Sequence, residues 1–322
     1  SCSPTRLYAP CLALCALAGF QPVLAASEDL QLLAPDGLTG DGFGSALATD
    51  GVRTLVGAPG ANDQGVGSGT AYLLASLTGS QLHELQPLGG LAGDAFGTAV
   101  DLDGGLAVVG APQADVVGAD SGAAYVFDLS SGLQVLQLAP TDAAAGDRFG
   151  GAVAIRDGLV VVGAVAADGV GADTGAAYLF DATTGAQLHK LSPGDASFLG
   201  GFADAVDLDA GRVLVGARTA DSSTMFSGAA YLFDAATGSQ LHKLQPQLAV
   251  AWAGFGCSVA LDGDRAVVGA KDEGPQGKHS GAAYLFDASS GQQTAKLFPA
   301  DGTVFDRFGS SVAISGDLVA IG

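Results

Sequence analysis

From about residue 30 onward, short apolar runs alternate with polar turns, and the arrangement returns every 53 residues. In one representative unit, residues 149–155 alternate in character, and residues 159–164 form a continuous β-branched run. A third apolar run covers 175–180, and a more polar one covers 186–191. Period-2 alternation and short β-branched runs bounded by Gly and Asp predict strands and exclude helical repeats. Each unit is therefore predicted to contain four antiparallel strands.

Three sequence marks keep one register through the chain. A Phe-Gly pair recurs every 53 residues, with Phe202-Ala203 as its degenerate copy; its aromatic members are Phe43, Phe96, Phe149, Phe202, Phe255 and Phe308. A Gly-Ala pair and a Ser/Thr-Gly-x-Ala-Tyr segment recur at the same interval. Four short strands in about 50 residues predict one blade of a β-propeller. The chain then holds five blades and part of a sixth, at about 33–84, 85–137, 138–190, 191–243, 244–296 and 297–322.

Composition supports this all-β propeller. Apolar residues make up 48% of the chain, which is too many for a disordered protein, and 50 of the 322 residues are glycine, which is too many for long helices. Blades crowd near the axis, so small residues must alternate with large ones, and glycine inside strands marks close backbone approach. We expect Phe149, Tyr178 and Phe180 to fill the gaps between sheets.

Charge excludes one class of partner. The chain has 33 acidic and 13 basic residues, for a formal net charge of −20. No surplus of lysine or arginine exists to neutralise phosphates, so we expect no nucleic-acid partner.

The first 26 residues predict export. Arg6 precedes an apolar stretch over 11–20, and small residues follow, with cleavage expected after Ala25 or Ala26. The apolar stretch is too short to span a bilayer, and no later segment is long enough, so the mature chain, 27–322, is expected to have no integral membrane segment. The predicted location is secreted, periplasmic or cell-surface. Cys257 is the single cysteine of the mature chain, so no intrachain disulfide is expected.

The residues Phe96-Gly97, Gly110-Ala111-Pro112 and Ser121 to Tyr125 resemble the FG-GAP repeat of integrin α subunits and many bacterial surface proteins. The resemblance covers about 30–322 and implies a seven-bladed propeller. Because the chain stops within its sixth repeat, we expect it to be part of a longer protein. Residues 29–33 look like a fourth strand that would close the ring with a missing last blade. Members of this family serve adhesion, ligand binding and scaffolding.

One departure from the family concerns metal binding. Calcium-binding members carry an acidic DxDxDGxxD-type loop between the Phe-Gly and Gly-Ala-Pro strands, where this chain has only tight turns such as Asp157-Gly158. One carboxylate cannot supply the six to eight oxygens that calcium needs, so no calcium site or other cofactor is expected. Asp101 with Asp103, and Asp207 with Asp209, are expected to be solvated acids at strand ends, with a weak cation site as the alternative.

Repeat comparison separates scaffold residues from candidates for chemistry. His83, His189 and His242 share one repeat position and are interpreted as structural, and the recurring hairpin acids are interpreted as turn caps: Asp128, Asp181, Asp234 and Asp287. The sequence contains no zinc spacing, phosphate loop or catalytic triad. Residues 178–191 look like the quinoprotein propeller repeat, but those enzymes carry a tryptophan motif in every blade, and Trp252 is solitary. We therefore expect a non-enzymatic protein; a quinoprotein-type enzyme and a structural spacer remain alternatives.

A candidate ligand face follows from the positions that break the repeat. Three residues before the Phe-Gly mark, the first three repeats have glycine, whereas the next three have large apolar residues. In a propeller, the loops between blades lie on the same face as those between second and third strands. We expect this face to bind a protein or glycan through Leu199, Arg218, Met225, Phe226, Trp252, Lys271, His279 and Phe305. The alternative is that the apolar members plug the channel mouth or fill degenerate loops.

Overall fold

The computed structural model describes residues 13–16, 30–169, 171–195, 201–220 and 225–322. Every regular secondary-structure element within these ranges is a β-strand. The predicted all-β class is therefore confirmed. In this part of the chain there is no helix with the length and apolar character needed to cross a membrane.

Short strand β1 (Ala13–Ala16) comes first in the chain, followed by five four-stranded antiparallel sheets built from consecutive strands. The first sheet contains β2 (Ala46–Thr49), β3 (Arg53–Ala58), β4 (Thr70–Ala75) and β5 (Gln81–Leu85). The second contains β6 (Ala99–Asp103), β7 (Leu106–Ala111), β8 (Ala123–Asp128) and β9 (Leu133–Leu138). The third contains β10 (Phe149–Arg156), β11 (Leu159–Ala164), β12 (Ala176–Asp181) and β13 (Gln187–Leu191).

The fourth sheet contains β14 (Phe202–Asp209), β15 (Arg212–Ala217), β16 (Ala229–Asp234) and β17 (Gln240–Leu244). The fifth contains β18 (Phe255–Asp262), β19 (Arg265–Ala270), β20 (Ala282–Asp287) and β21 (Gln292–Leu297). A smaller sixth sheet has the order β1, β23 (Leu318–Ile321), β22 (Val312–Ser315). Five complete propeller blades and part of a sixth are thus confirmed. Among the described strands, no pairing joins the first sheet to the last, so the ring of blades is not closed.

Two segments near the N-terminus bear on how the ends of the array are covered. Strand β1 lies inside the predicted signal segment and pairs with β23, so this pairing belongs to the uncleaved chain. The described residues of the predicted ring-closing strand, 30–33, do not form a strand. Leu32 and Ala34 instead pack on the first blade, against a cluster that includes Tyr72. These side chains cover one apolar face of the first sheet without extending it.

Burial along the strands explains why their sequences differ. In the third blade, β11 and β12 are buried at nearly every position, because each of these central strands is covered on both faces by neighbouring blades. The outer strand β9 of the preceding blade alternates between exposed and partly buried residues. Continuous apolar runs in the middle of each blade and mixed sequences at its outer edge follow from this placement.

The hydrophobic core consists of clusters that lie between successive blades. The cluster between the second and third blades joins Val126 and Leu138 to Phe149, Tyr178 and Phe180, all of them buried. Phe149 packs edge-on against both other rings, with centroids 5.8 Å away in each case, as aromatic pairs prefer. The same arrangement repeats at Phe96, Phe202 and Phe255. The predicted role of the aromatic residues as fillers between sheets is confirmed.

The three sequence marks meet at each blade junction. Phe149 of the third blade forms a parallel β-bridge with Gly122 of the second, and its N–H donates a hydrogen bond to the Ser121 carbonyl at 3.1 Å. Beside this bridge, a Cβ on Gly110 would lie 2.9 Å from the Gly150 carbonyl carbon and closer still to its oxygen. Glycine of the Gly-Ala mark is therefore required because the next blade's backbone occupies the space of a side chain.

Acidic side chains of the inner strands also cross the junctions. Asp101 accepts a hydrogen bond from the Ile155 N–H at 2.8 Å, and Asp207 accepts one from the Leu261 N–H at 2.6 Å. Arg156 lies 3.5 Å from an Asp103 carboxylate oxygen.

Asp209 likewise accepts a hydrogen bond across a blade junction, from the Gly263 N–H at 2.6 Å. The expectation that these acids are simply solvated at strand ends was wrong. Inner-strand amides of the next blade need acceptors, and these carboxylates supply them.

We expect Gly110→Ala to lower the melting temperature by about 6 °C or more, because a methyl group there forces the second and third blades apart. Gly151→Ala is the matched control. Its Cβ would meet nothing closer than the Arg148 carbonyl oxygen at 3.5 Å. The control should melt within about 2 °C of the wild type, as measured by calorimetry. Equal effects of the two substitutions would contradict a close backbone contact between blades.

A second prediction concerns pH. Burial raises the pKa of Asp101 to about 6 and that of Asp207 to about 7, against the opposing effect of the backbone hydrogen bonds. The folded state therefore binds protons that the unfolded state has released, so the free energy of unfolding should fall as pH rises from about 4 to about 7. Asp207→Asn, which keeps one acceptor oxygen, should reduce this fall by about 1–3 kcal/mol. Denaturant titrations across this pH range measure it, and an unchanged slope would contradict the assignment.

Candidate functional site

At each described blade junction on one face of the array, the loop after the second strand runs beside the linker into the next blade. Backbone hydrogen bonds join the two segments. The Gly93 N–H donates to the Val66 carbonyl at 3.0 Å, and the Phe305 N–H donates to the Lys278 carbonyl at 3.0 Å. This repeated contact brings two positions together at every junction, one from the loop and one from the linker.

The loop residue that follows the acceptor carbonyl and the linker residue both have a left-handed backbone. The loop position is Gly67 in the first blade and Asp120 in the second, residue types that tolerate positive φ. Phe226 occupies it in the fourth blade with a φ of 50°, and His279 occupies it in the fifth with a φ of 55°. The fold keeps the same backbone shape whichever residue is present.

The linker position follows the same rule. Gly93 and Gly146 hold it in early blades with φ near 90°, whereas Trp252 has a φ of 62° and Phe305 a φ of 71°. A left-handed conformation costs an ordinary L-residue about 1–2 kcal/mol, and a bulky aromatic has no local compensation for it. Aromatic residues at this position are therefore unfavourable for folding, and their presence needs another reason.

Loop and linker residues form two aromatic pairs. The Phe226 and Trp252 ring centroids are 4.4 Å apart at an interplanar angle of 40°. The His279 and Phe305 centroids are 5.4 Å apart at 20°, a stacked arrangement. Trp252 and Phe305 each remain 59% exposed. Trp252 and Phe305 are thus not core residues, and they present flat apolar surfaces to solvent.

A cleft of about 250 Å³ adjoins the first aromatic pair. It is lined by Arg218, Thr219, Phe226, Trp252, Gly254 and Asp272. Arg218 Nε lies 2.6 Å from Asp204 Oδ2, and the two side chains form an ion pair. Burial raises the pKa of Asp204, against the opposing charges of Arg218 and Lys271. The cleft therefore joins an aromatic wall to charged groups of both signs.

The second pair lies in a more basic setting. Lys278 Nζ lies 6.0 Å from the Phe305 ring centroid, within cation–π range. His279 Nδ1 lies 3.3 Å from Asp272 Oδ1, and the Asp272 N–H donates to the Ala253 carbonyl. Since Asp272 also lines the first cleft, the two junctions form one continuous surface.

Most of the predicted ligand-face residues are brought together. Arg218, Phe226 and Trp252 share the cleft, and His279 stacks on Phe305. Met225 is 60% exposed and accepts the Trp252 N–H through its carbonyl at 3.2 Å. Lys271 is half-buried directly beside Asp272, in the same loop as His279. Leu199 lies outside the described residues.

The pairing of loop and linker residues was not predicted. His279 and Phe226 are one repeat apart, and each precedes its aromatic partner by 26 residues. That shared offset is the signal that pairs each loop residue with a linker residue. The acids Asp204 and Asp272 were not predicted as members of the site.

The residues interpreted as scaffold do serve the blades. His189 Nε2 contacts the Ala236 carbonyl of the next blade at 3.1 Å, and His242 makes the same contact with Ser289. Asp181 accepts hydrogen bonds from the Thr183 hydroxyl and the backbone N–H groups that follow, which hold its pKa below the usual range. Burial raises the pKa of the Cys257 thiol, which makes it a poor nucleophile.

Three exposed carboxylates on the first blade, Asp36, Asp63 and Glu84, each offer an oxygen within 4.8 Å of the others. Tyr72 donates its hydroxyl hydrogen to Asp36, and Thr70 donates to Asp63. The pKa of Glu84 is raised by burial and by its two acidic neighbours. Because the group is exposed and all three of its members already accept hydrogen bonds, we assign no ion to it.

Comparisons with known proteins bear on the fold and the family of this chain. The chain resembles the crystal structure of the computationally designed Ika8 protein with a TM-score of 0.53 and 18% identity, over 86% of this chain and 69% of the other, which bears on the fold alone. No curated protein matches it. The FG-GAP repeat model matches residues 27–74, 80–127, 133–180, 186–233, 239–286 and 292–322. These matches cover most of the chain, and the protein belongs to the FG-GAP repeat family.

Proposed function

We propose that the protein is an exported, non-enzymatic binding module that recognises a protein or glycan through the loop face of its fourth to sixth blades. The observation that carries this proposal is the pair of exposed aromatic stacks, Phe226–Trp252 and His279–Phe305, at backbone positions where glycine is cheaper. Backbone strain that persists at a surface position, and recurs in consecutive repeats, is typical of residues that recognise a ligand.

The chemistry of the surface supports binding more than catalysis. Trp252 and Phe305 offer flat rings on which a sugar or an apolar side chain can pack, and Arg218 and Asp272 offer hydrogen-bonding groups at the rim. Aromatic residues and arginine are the types most enriched at binding hot spots. Export is supported by the signal-like first 26 residues, and acidic net charge suits solubility outside the cell.

We expect Trp252→Gly and Phe305→Gly to weaken binding by about ten-fold or more while leaving the melting temperature within about 3 °C of the wild type. Glycine removes the ring but relieves the left-handed strain, and these two effects on stability roughly cancel. Labelled protein on arrays of bacterial and host glycans and of extracellular proteins gives the binding readout. Calorimetry gives the stability readout.

Leu77→Ser provides the control, because Leu77 is 89% exposed in a hairpin turn on the opposite face. It should affect neither readout. Binding that survives both glycine substitutions would contradict the proposed face. A melting temperature lowered by about 8 °C or more would show that the rings are structural.

A further inference from the structure

The junction between the fifth and sixth blades differs from its neighbours in charge. Over the described part of the chain, most lysines and arginines form ion pairs with carboxylates. The bases of that part without such a pair are Arg148, Lys271, Lys278 and Arg307. Lys271 and Lys278 belong to the loop that carries His279, and Arg307 follows Phe305 by two residues. Of these three bases, Lys278 lies against the stack, with its Nζ 6.0 Å from the Phe305 ring centroid, in a protein of net charge −20.

Carboxylates near this stack are already engaged. Asp272 contacts His279, and Glu273 pairs with Lys296 and accepts the Tyr284 hydroxyl hydrogen. Asp306 accepts hydrogen bonds from the backbone N–H and hydroxyl of Thr303. Lys278, by contrast, has no ion pair with a carboxylate among the described residues.

The repeat shows that these cations do not serve the blade. In the second blade, Pro112 occupies the position of Lys271, and Ala119 occupies that of Lys278. Burying or pairing a base is therefore not required for the loop to fold. The loop therefore folds without a lysine at either position.

The exposed ring and the charges lie side by side. Lys278 Nζ is 6.0 Å from the Phe305 centroid, and Phe305 remains 59% exposed beneath it. The Arg307 N–H donates to the His279 carbonyl at 3.0 Å, which holds the linker against the loop. A ligand that fits this arrangement has a flat apolar ring face and a negative substituent on or next to the same ring.

We infer that this junction binds an acidic sugar residue of a glycan, a pyranose that carries a carboxylate or a sulfate group. The C–H face of the sugar packs on Phe305, and its anionic group pairs with Lys278. This inference rests on the proposed binding function and assigns its ligand class.

Two other anionic partners fit less well. An acidic peptide carries its carboxylates on flexible side chains without a flat ring face for Phe305. A nucleic acid places a phosphate on every nucleotide against a protein of net charge −20. The inferred contact involves one acidic sugar residue at the stack, and at physiological ionic strength the acids of the protein beyond about 8 Å are screened.

The test uses a galacturonic acid hexasaccharide and its methyl ester, which has the same rings without the charge, in isothermal titration calorimetry with the full chain. We expect the acid to bind about ten-fold more tightly than the ester, and raising NaCl from about 50 to about 300 mM should remove most of that difference. A heparin hexasaccharide in parallel distinguishes sulfate from carboxylate recognition.

Lys278→Gln should weaken binding of the acid about three-fold or more, without changing binding of the ester. Arg148→Gln is the matched control, since it removes an equally unpaired cation at a junction that has no aromatic pair; its affinity should stay within about 1.5-fold of the wild type. Equal binding of acid and ester would overturn the acidic-sugar inference.

Binding of hexaglutamate as tight as that of the galacturonate would also overturn it, because the ring face would then be unnecessary. If the ester binds like the acid and Trp252→Gly abolishes both, the binding module stands and only the charge inference fails. If none of the acidic oligosaccharides binds, the inference fails, and array binding decides the proposed function separately.

Discussion

Adjacent blades of this protein are held at the distance at which their backbones touch. The glycine of each Gly-Ala pair lies against the carbonyl of the next blade's Phe-Gly pair, and a Cβ on Gly110 would overlap Gly150. That contact determines where the phenylalanine of the next blade enters the space between the two sheets. It also lets the N–H of this phenylalanine donate a hydrogen bond to the Ser-Gly segment of the preceding blade. Core clusters, inner-strand acids and the outer histidines all repeat because this spacing repeats.

A scaffold that is fixed this closely leaves few positions free to change. Loop and linker positions at each junction have a left-handed backbone in the early repeats, where small residues hold them, and keep it when aromatic residues replace those small ones. The backbone of Trp252 is therefore held in place by a backbone hydrogen bond that does not depend on the tryptophan side chain. Recognition residues can be exchanged on such a surface at a local cost of about 1–2 kcal/mol, without disturbing the packing between blades.

The sequence predicted the strands, the blade count within the chain and the aromatic filling at Phe149, because these depend on period and burial. It did not predict that Asp207 would hydrogen-bond to Leu261, since a contact between residues in different blades has no local pattern. Trp252 and Phe305 were predicted from their departure from glycine, whereas their pairing with Phe226 and His279 needed the relative position of two loops. Side-chain contacts across a junction were thus the part that sequence alone could not supply.

The central claim is that each Phe-Gly segment is hydrogen-bonded to the preceding blade. Hydrogen exchange measured residue by residue tests it at the amides of Phe96, Phe149, Phe255 and Phe308, which donate across the junctions at 2.9–3.2 Å. The account predicts that these amides are protected as strongly as those in the buried central strands, such as β11, because they open only when blades separate. Exchange as fast as that of exposed loop amides would contradict it.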